Sequence, residues 1–226
     1  MLEGFLAAVS LAAVVLGCGN GLRSKILAYD ADSRKAVAAD KAEMDKLVVE
    51  LVDATKADSQ EVIRLYRTDP DSRVRSTCAT FLWLSDIKEA APALADGARS
   101  DSDGRVSTLS IDALARLLGS FPKDTTVQSA AKSAAESDLA RRPPAGLLFD
   151  AEIAARLNDR EAVGLLAAAL PEEKPALYTA GVRAIALIGG SEAMKALADL
   201  KKHAKDQARL AFIDGLLAQM QTRAKR

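Results

Sequence analysis

Apolar residues recur at three- and four-residue spacing through most of this chain, the period of a helix face turned to a core. Beyond residue 32 the β-branched runs are too short for a credible strand. Residues 33–57 carry Val37, Met44, Leu47, Val48, Leu51 and Val52 with five acidic and five basic residues among them. That predicts one amphipathic helix with a narrow apolar stripe and a solvated, charge-balanced face. The stripe lasts under three good heptads, so the helix is expected to pack onto the end of the domain that follows, with a coiled-coil stalk as the alternative. Further upstream, Ser10 is the only polar side chain in the 13 residues from Phe5 to Gly17. Such a run has the length of a signal-peptide core and falls short of the ~20 residues of a membrane-spanning helix.

From about residue 58 the chain repeats itself, with three stretches sharing one plan: Leu84-Ser-Asp-Ile-Lys-Glu-Ala-Ala-Pro-Ala-Leu94, Leu157-Asn-Asp-Arg-Glu-Ala-Val-Gly-Leu-Leu166 and Ile188-Gly-Gly-Ser-Glu-Ala-Met-Lys-Ala-Leu197. Each runs from an apolar helix end through a turn of Gly, Asn, Ser or Asp to Glu-Ala and a second apolar helix. Glu161 and Glu192 are 31 residues apart, and Glu89 stands 72 before Glu161, which leaves room for one longer unit. That unit is Leu114 to Ala135, with its turn at Gly119, Pro122 and Asp124, and Val127 in the place of Val163. Asp69-Pro-Asp-Ser-Arg-Val-Arg75 and Asp101-Ser-Asp-Gly-Arg-Val106 stand upstream of two turns, and Tyr178 to Gly189 opens the last clear unit. The Asp of these stretches is expected to cap the first helix by accepting from backbone N–H groups that lack a partner within it. Second helices are expected near 87–98, 124–135, 159–170 and 191–204. Pro143-Pro144 breaks the register and predicts a longer loop, in which Arg141 and Arg142 are either a contact point or simply solvated.

The pattern Asp-x-Asp-x-x-Val-Arg, apolar helix, short turn and Glu-Ala-x-x-x-Leu resembles HEAT-like repeats of the phycobilin-lyase type over roughly residues 58–222. The match is best at Asp69–Leu94 and Tyr178–Leu197 and degenerate over 101–140. The resemblance implies an all-α protein: a right-handed α-solenoid of about four to five HEAT-like helical hairpins, preceded by the one amphipathic helix. Each hairpin would bury its apolar side by stacking on its neighbours. The implied role is non-enzymatic scaffolding, with an unidentified protein partner on the concave face of the second helices.

Val15-Leu16-Gly17-Cys18 resembles the bacterial lipobox, a likeness confined to these four positions and the apolar run before them. It implies diacylation of the Cys18 thiol, cleavage after Gly17, and Cys18 as a lipid-bearing (palmitate-type) first residue that holds the protein to a membrane. Two or three acyl chains give stable anchoring where one is marginal. Gly19, in place of an Asp after the Cys, implies retention in an outer membrane facing the periplasm. The stretch ahead of the run departs from the pattern in lacking Lys or Arg and carrying Glu3. Other readings make residues 5–17 an apolar capping helix of a cytoplasmic protein, with Cys18 incidental, or a plain membrane anchor or cleaved export signal. The expected organisation is a signal peptide at 1–17, a tether at 18–32, the amphipathic capping helix at 33–57, the repeat domain at 58–222 and a basic tail at 223–226.

Composition narrows the function classes. Lys plus Arg and Asp plus Glu are equal at 31 each and aromatics are 4%, so neither a basic field nor a stacking platform marks a nucleic-acid binder. Two Cys and one His leave no disulfide framework or zinc module, and no catalytic constellation is visible. No cofactor or metal is expected. Two rivals remain: a cytoplasmic HEAT-like chromophore-lyase relative or assembly factor, and a nucleic-acid-binding HEAT protein of the alkylpurine-glycosylase sort, which charge and composition oppose. Residues 85–103 carry five acidic and two basic side chains, whereas 195–226 carry eight basic and three acidic. This asymmetry either steers a polarised partner or reflects basic residues gathering at helix C-termini. Candidate partner contacts are Trp83, Arg141, Arg142, Lys201, Lys202 and Lys205. Trp83 is either core or an exposed anchor, since the four successive residues Phe81 to Leu84 cannot all face inward. Cys78 is expected as a buried small hydrophobe and His203 as a solvated surface side chain.

Overall fold

The computed structural model describes residues 21–31, 41–141, 144–204 and 206–224, and among them every regular element is a helix. The fold is all-α, as the spacing of apolar positions requires. Gly17, Cys18, Arg142 and Lys205 lie outside the described residues. Helix α1 covers 21–31, followed by α2 Lys41–Ala57, α3 Ser59–Thr68, α4 Ser72–Leu84 and a 3-10 turn at Lys88–Ala90. Then come α5 Ala91–Ser100, α6 Gly104–Ser120, α7 Thr125–Leu139, α8 Leu147–Leu157 and α9 Ala162–Ala169. The last three are α10 Pro175–Ile188, α11 Gly190–Lys202 and α12 Gln207–Ala224. The chain divides into two compact units, Met1–Ala93 and Leu94–Arg226, so the stretch expected as one array over 58–222 falls in both.

In the first unit, α1 corrects the expectation of a tether over 18–32. Leu22, Ile26 and Tyr29 fall on one helical face; Ile26 is buried and the other two are half-buried. The Tyr29 ring meets Phe81 edge-on, with centroids 5.0 Å apart and planes at 81°. Both basic side chains of this helix are paired. Arg23 donates from Nε to Asp69 Oδ2 at 2.7 Å and from Nη2 to Oδ1 at 3.3 Å, and Lys25 Nζ lies 4.0 Å from Glu50. Helix α2 turns the expected stripe inward: Leu51 is fully buried, Leu47, Val48 and Val52 are half-buried, and Val49 on the far side is exposed. Val62, Leu65, Val74, Cys78, Phe81 and Leu82 of α3 and α4 complete this core.

The paired aspartates start helices as expected, and they do so by a relay. Asp69 Oδ1 accepts from the Asp71 N–H and Asp71 Oδ1 from the Arg73 N–H, both at 2.9 Å. Asp101 and Asp103 repeat the relay onto Arg105 at the same distances. Replacing Asp71 by Ala is expected to cost about 1 kcal/mol of stability in thermal or urea unfolding, the usual worth of an N-cap. The hydrogen bond from the Arg73 side chain holds Asp71 down at about 2. The cap's charge-dependent contribution is therefore present above pH ~4 and lost as pH falls toward 2, a dependence the Ala variant should lack.

The second unit is built by nearest neighbours: from α6 to α12 each helix packs on the next and on the next but one. The turn inside each clear repeat carries one residue of positive φ at the same position, in both units. Asp86, Asn158 and Gly189, each three residues before the Glu of Glu-Ala, have φ of 55°, 50° and 72°. A residue of positive φ there ends the first helix and reverses the chain, which is why Asn, Asp and Gly occupy it; Asn158 is left-handed helical, whereas Gly189, at ψ −168°, holds a conformation that favours glycine. The Ala that follows the Glu is at most 1% exposed at Ala90, Ala162 and Ala193, small enough for the second helix to close onto the core. The degenerate unit lacks this device: Phe121 ends α6 at φ −124°, and Asp124 starts α7 by accepting from the N–H groups of Thr126 and Val127. Helix α12 is fixed to α10 by Arg209 over the Tyr178 ring at 4.5 Å and Arg183 over Phe212 at 5.5 Å. It runs to Ala224, so Arg223, expected in a basic tail, belongs to a helix.

Candidate groove between α9 and α11

Two of the expected second helices, α9 and α11, enclose an open groove of about 740 Å³ in the second unit. Its floor is Val163 and Ala167 from α9 with Ala196 and Leu200 from α11, and Gly164 leaves it wide. A Cβ placed on Gly164 would meet nothing within 4 Å. The small side chains follow from the helices' need to approach closely, and where they line a surface they leave a trough. Charged side chains border it: Arg160, Glu161, Glu192, Lys195, Asp199 and His203. Asp199 is taken up by Lys202 at 2.7 Å and its carboxyl is held below the usual range by that ammonium.

Beside the groove mouth three carboxylates converge on one ammonium. Lys132 Nζ of α7 lies 2.7 Å from Glu161, 3.2 Å from Asp159 and 3.6 Å from Glu136. The hydrogen bond to Glu161 leads in raising the Lys132 pKa, and it lowers that of Glu161 in return. Burial, with Asp159 facing it, raises Glu136. These carboxylate oxygens lie within 4.8 Å of one another, the spacing of a cation site, and here the cation among them is Lys132. The cluster joins α7 to the start of α9 and makes one end of the groove rigid and net acidic.

Of the sequence-derived candidates, Lys201 and Lys202 flank the groove's far end, paired with Asp214 at 2.6 Å and Asp199 at 2.7 Å. Arg141 reaches back over α5, donating to the carbonyls of Ala98 and Arg99, so its guanidinium serves the fold. Trp83 is half-buried in the first unit, with Phe81 and Leu82 inward and Leu84 half-exposed beside it. Cys78 is fully buried, and burial with Asp69 and Glu61 nearby pushes its thiol up, so it stays protonated at neutral pH. His203, expected to be merely solvated, is exposed and borders the groove. Sequence reasoning placed both helices but not the residues between them.

No family model matches this chain, and no curated protein is similar to it.

Proposed function

We propose that the protein is a non-enzymatic interaction module of the HEAT-like α-solenoid kind, held at a bacterial cell envelope by lipid on Cys18 and binding a protein partner on its second helices. The observation that carries this reading is the open α9–α11 groove, which falls on two consecutive second helices. The neighbour-and-next-neighbour packing of α6 to α12 and the shared positive-φ turn position support the repeat architecture. A groove of this size accepts one or two large apolar side chains. A stable protein interface buries about 1,200–2,000 Å², so the groove would form its centre, with the charged rim around it. The rim side chains Arg160, Glu192 and Lys195, which form no ion pair among the described residues, are available for polar contacts to the partner.

The lipid anchor rests on the Leu16-Gly17-Cys18 motif and the apolar run before it. Among the described residues no helix is long and apolar enough to cross a membrane. Fractionation of cells expressing the full chain tests the anchor. The wild type should sediment with membranes and release with detergent, and the Cys18→Ser variant should leave the membrane fraction. Unchanged membrane retention of the Ser variant would refute acyl anchoring. Full-length protein, Met1 included, in the soluble cytoplasm would favour a cytoplasmic assembly factor instead.

A further inference from the structure

Asp138, next to last in α7, and Asp150, in the first turn of α8, are both 0% exposed. Asp138 Oδ2 accepts from the Gly146 N–H at 2.8 Å, across the connection between the two helices. The other three oxygens, Asp138 Oδ1 and both of Asp150, receive no hydrogen bond from a described residue. Arg141 Nη1 stands 3.5 Å from Asp138 Oδ1, while Nη2 of the same guanidinium caps the carbonyl end of α5. The groups acting on Asp150 are thus Asp138 and Arg141, both from the end of α7. Helices α6, α9 and α10 also pack on α8 but add no charged group that bears on it.

Two carboxylates cannot both be ionised in so enclosed a place beside one part-exposed guanidinium. A proton on one of them removes a charge and supplies the donor that the orphan oxygens lack. We infer that Asp138 and Asp150 hold a single proton between them, and that this proton latches the α7–α8 connection. Asp150 keeps the proton and donates to Asp138; Asp138 carries the negative charge and retains both Gly146 and Arg141. Burial first, and then the facing Asp138, push Asp150 up to about 10. When hydroxide removes the proton, water forms and two buried anions are left facing one another. Their repulsion releases the Gly146 N–H and loosens the start of α8 from the end of α7. The latch is independent of the α9–α11 groove and of the lipid anchor, and it makes the joint between α7 and α8 sensitive to alkali.

Infrared spectroscopy and amide exchange on the full chain test it. Wild-type protein at neutral pH should show the carbonyl stretch of a protonated carboxyl, shifted in D₂O, that titrates away as the pH passes about 10 and is missing in Asp150→Asn. The Gly146 amide should lose at least about tenfold in protection across that transition in the wild type, the change that one pKa unit of coupling produces. In Asp150→Asn, whose amide still donates but does not ionise, that protection should hold. Absence of the protonated carboxyl at neutral pH, or the same Gly146 profile in both proteins, would overturn the proposal. Should Asp150→Asn not fold, the wild-type band and its titration decide the matter alone.

Discussion

Replacing Phe81 by Ala is expected to remove about 3–5 kcal/mol from the stability of the first unit, the cost of deleting a fully buried aromatic ring. Phe81 is 1% exposed, so the substitution leaves a cavity that the surrounding helices fill only in part. The ring also receives the edge of Tyr29, and such pairs are worth about 0.5–1.5 kcal/mol beyond the area they bury. Set against the 5–15 kcal/mol that usually holds a domain together, the loss brings this unit close to unfolding at ambient temperature. Urea titration should show a large fall in midpoint, and hydrogen exchange should show residues 21–31 losing protection along with α4. Trp83→Ala, two residues along the same helix but half-buried, should cost much less. Equal costs at the two positions, or protection of 21–31 unaffected by Phe81→Ala, would contradict the packing of α1 described above.

The second large effect is the pH dependence set by Asp150. With a folded pKa of about 10 and an unfolded value near 3.9, the native state binds a proton across a range where the unfolded chain does not. Stability contributed by this group is therefore complete below pH ~4 and falls as pH rises, by at most about 1.4 kcal/mol per unit, until the folded pKa is passed. Asp150→Asn abolishes the slope, so the variant should gain on the wild type steadily from pH 6 to pH 9. Urea unfolding at several pH values measures the difference directly. Parallel curves for the two proteins would show that Asp150 is ionised in the native state.

Much of this architecture was legible in the chain, because helix period, turn residue and capping residue point the same way in the clear repeats. Asp71 and Asp103 cap helices in the stretches whose Asp was expected to cap, and Glu-Ala marks the start of the second helix in the clear repeats. The misreadings have physical causes. Residues 21–31 carry Arg23 and Lys25, whose partners Asp69 and Glu50 are distant in sequence, so nothing local shows that this stretch packs as a helix. Asp138 and Asp150 look like ordinary surface acids, since nothing local tells that α7 and α8 turn them toward each other. The groove was hidden for the opposite reason. Gly164, Ala167 and Ala196 are the residues that tight helix packing demands, and only the spacing of α9 from α11 shows that they line an open trough. Pro144 stands between the end of α7 at Leu139 and the start of α8 at Leu147, two ends that Asp138 bridges through Gly146.

On the proposed function, a protein partner seats in the groove between α9 and α11. The most direct test is a photo-crosslinking residue at Ala196, in the groove floor, compared with one at Leu187, which is 59% exposed on α10 and outside the groove. In the native host the Ala196 probe should yield a discrete adduct and the Leu187 probe none. Gly164→Trp, which fills the trough without meeting a neighbour at its Cβ, should abolish that adduct while leaving the protein folded. Equal adducts from both positions, no adduct from Ala196, or an adduct indifferent to Gly164→Trp would contradict the account.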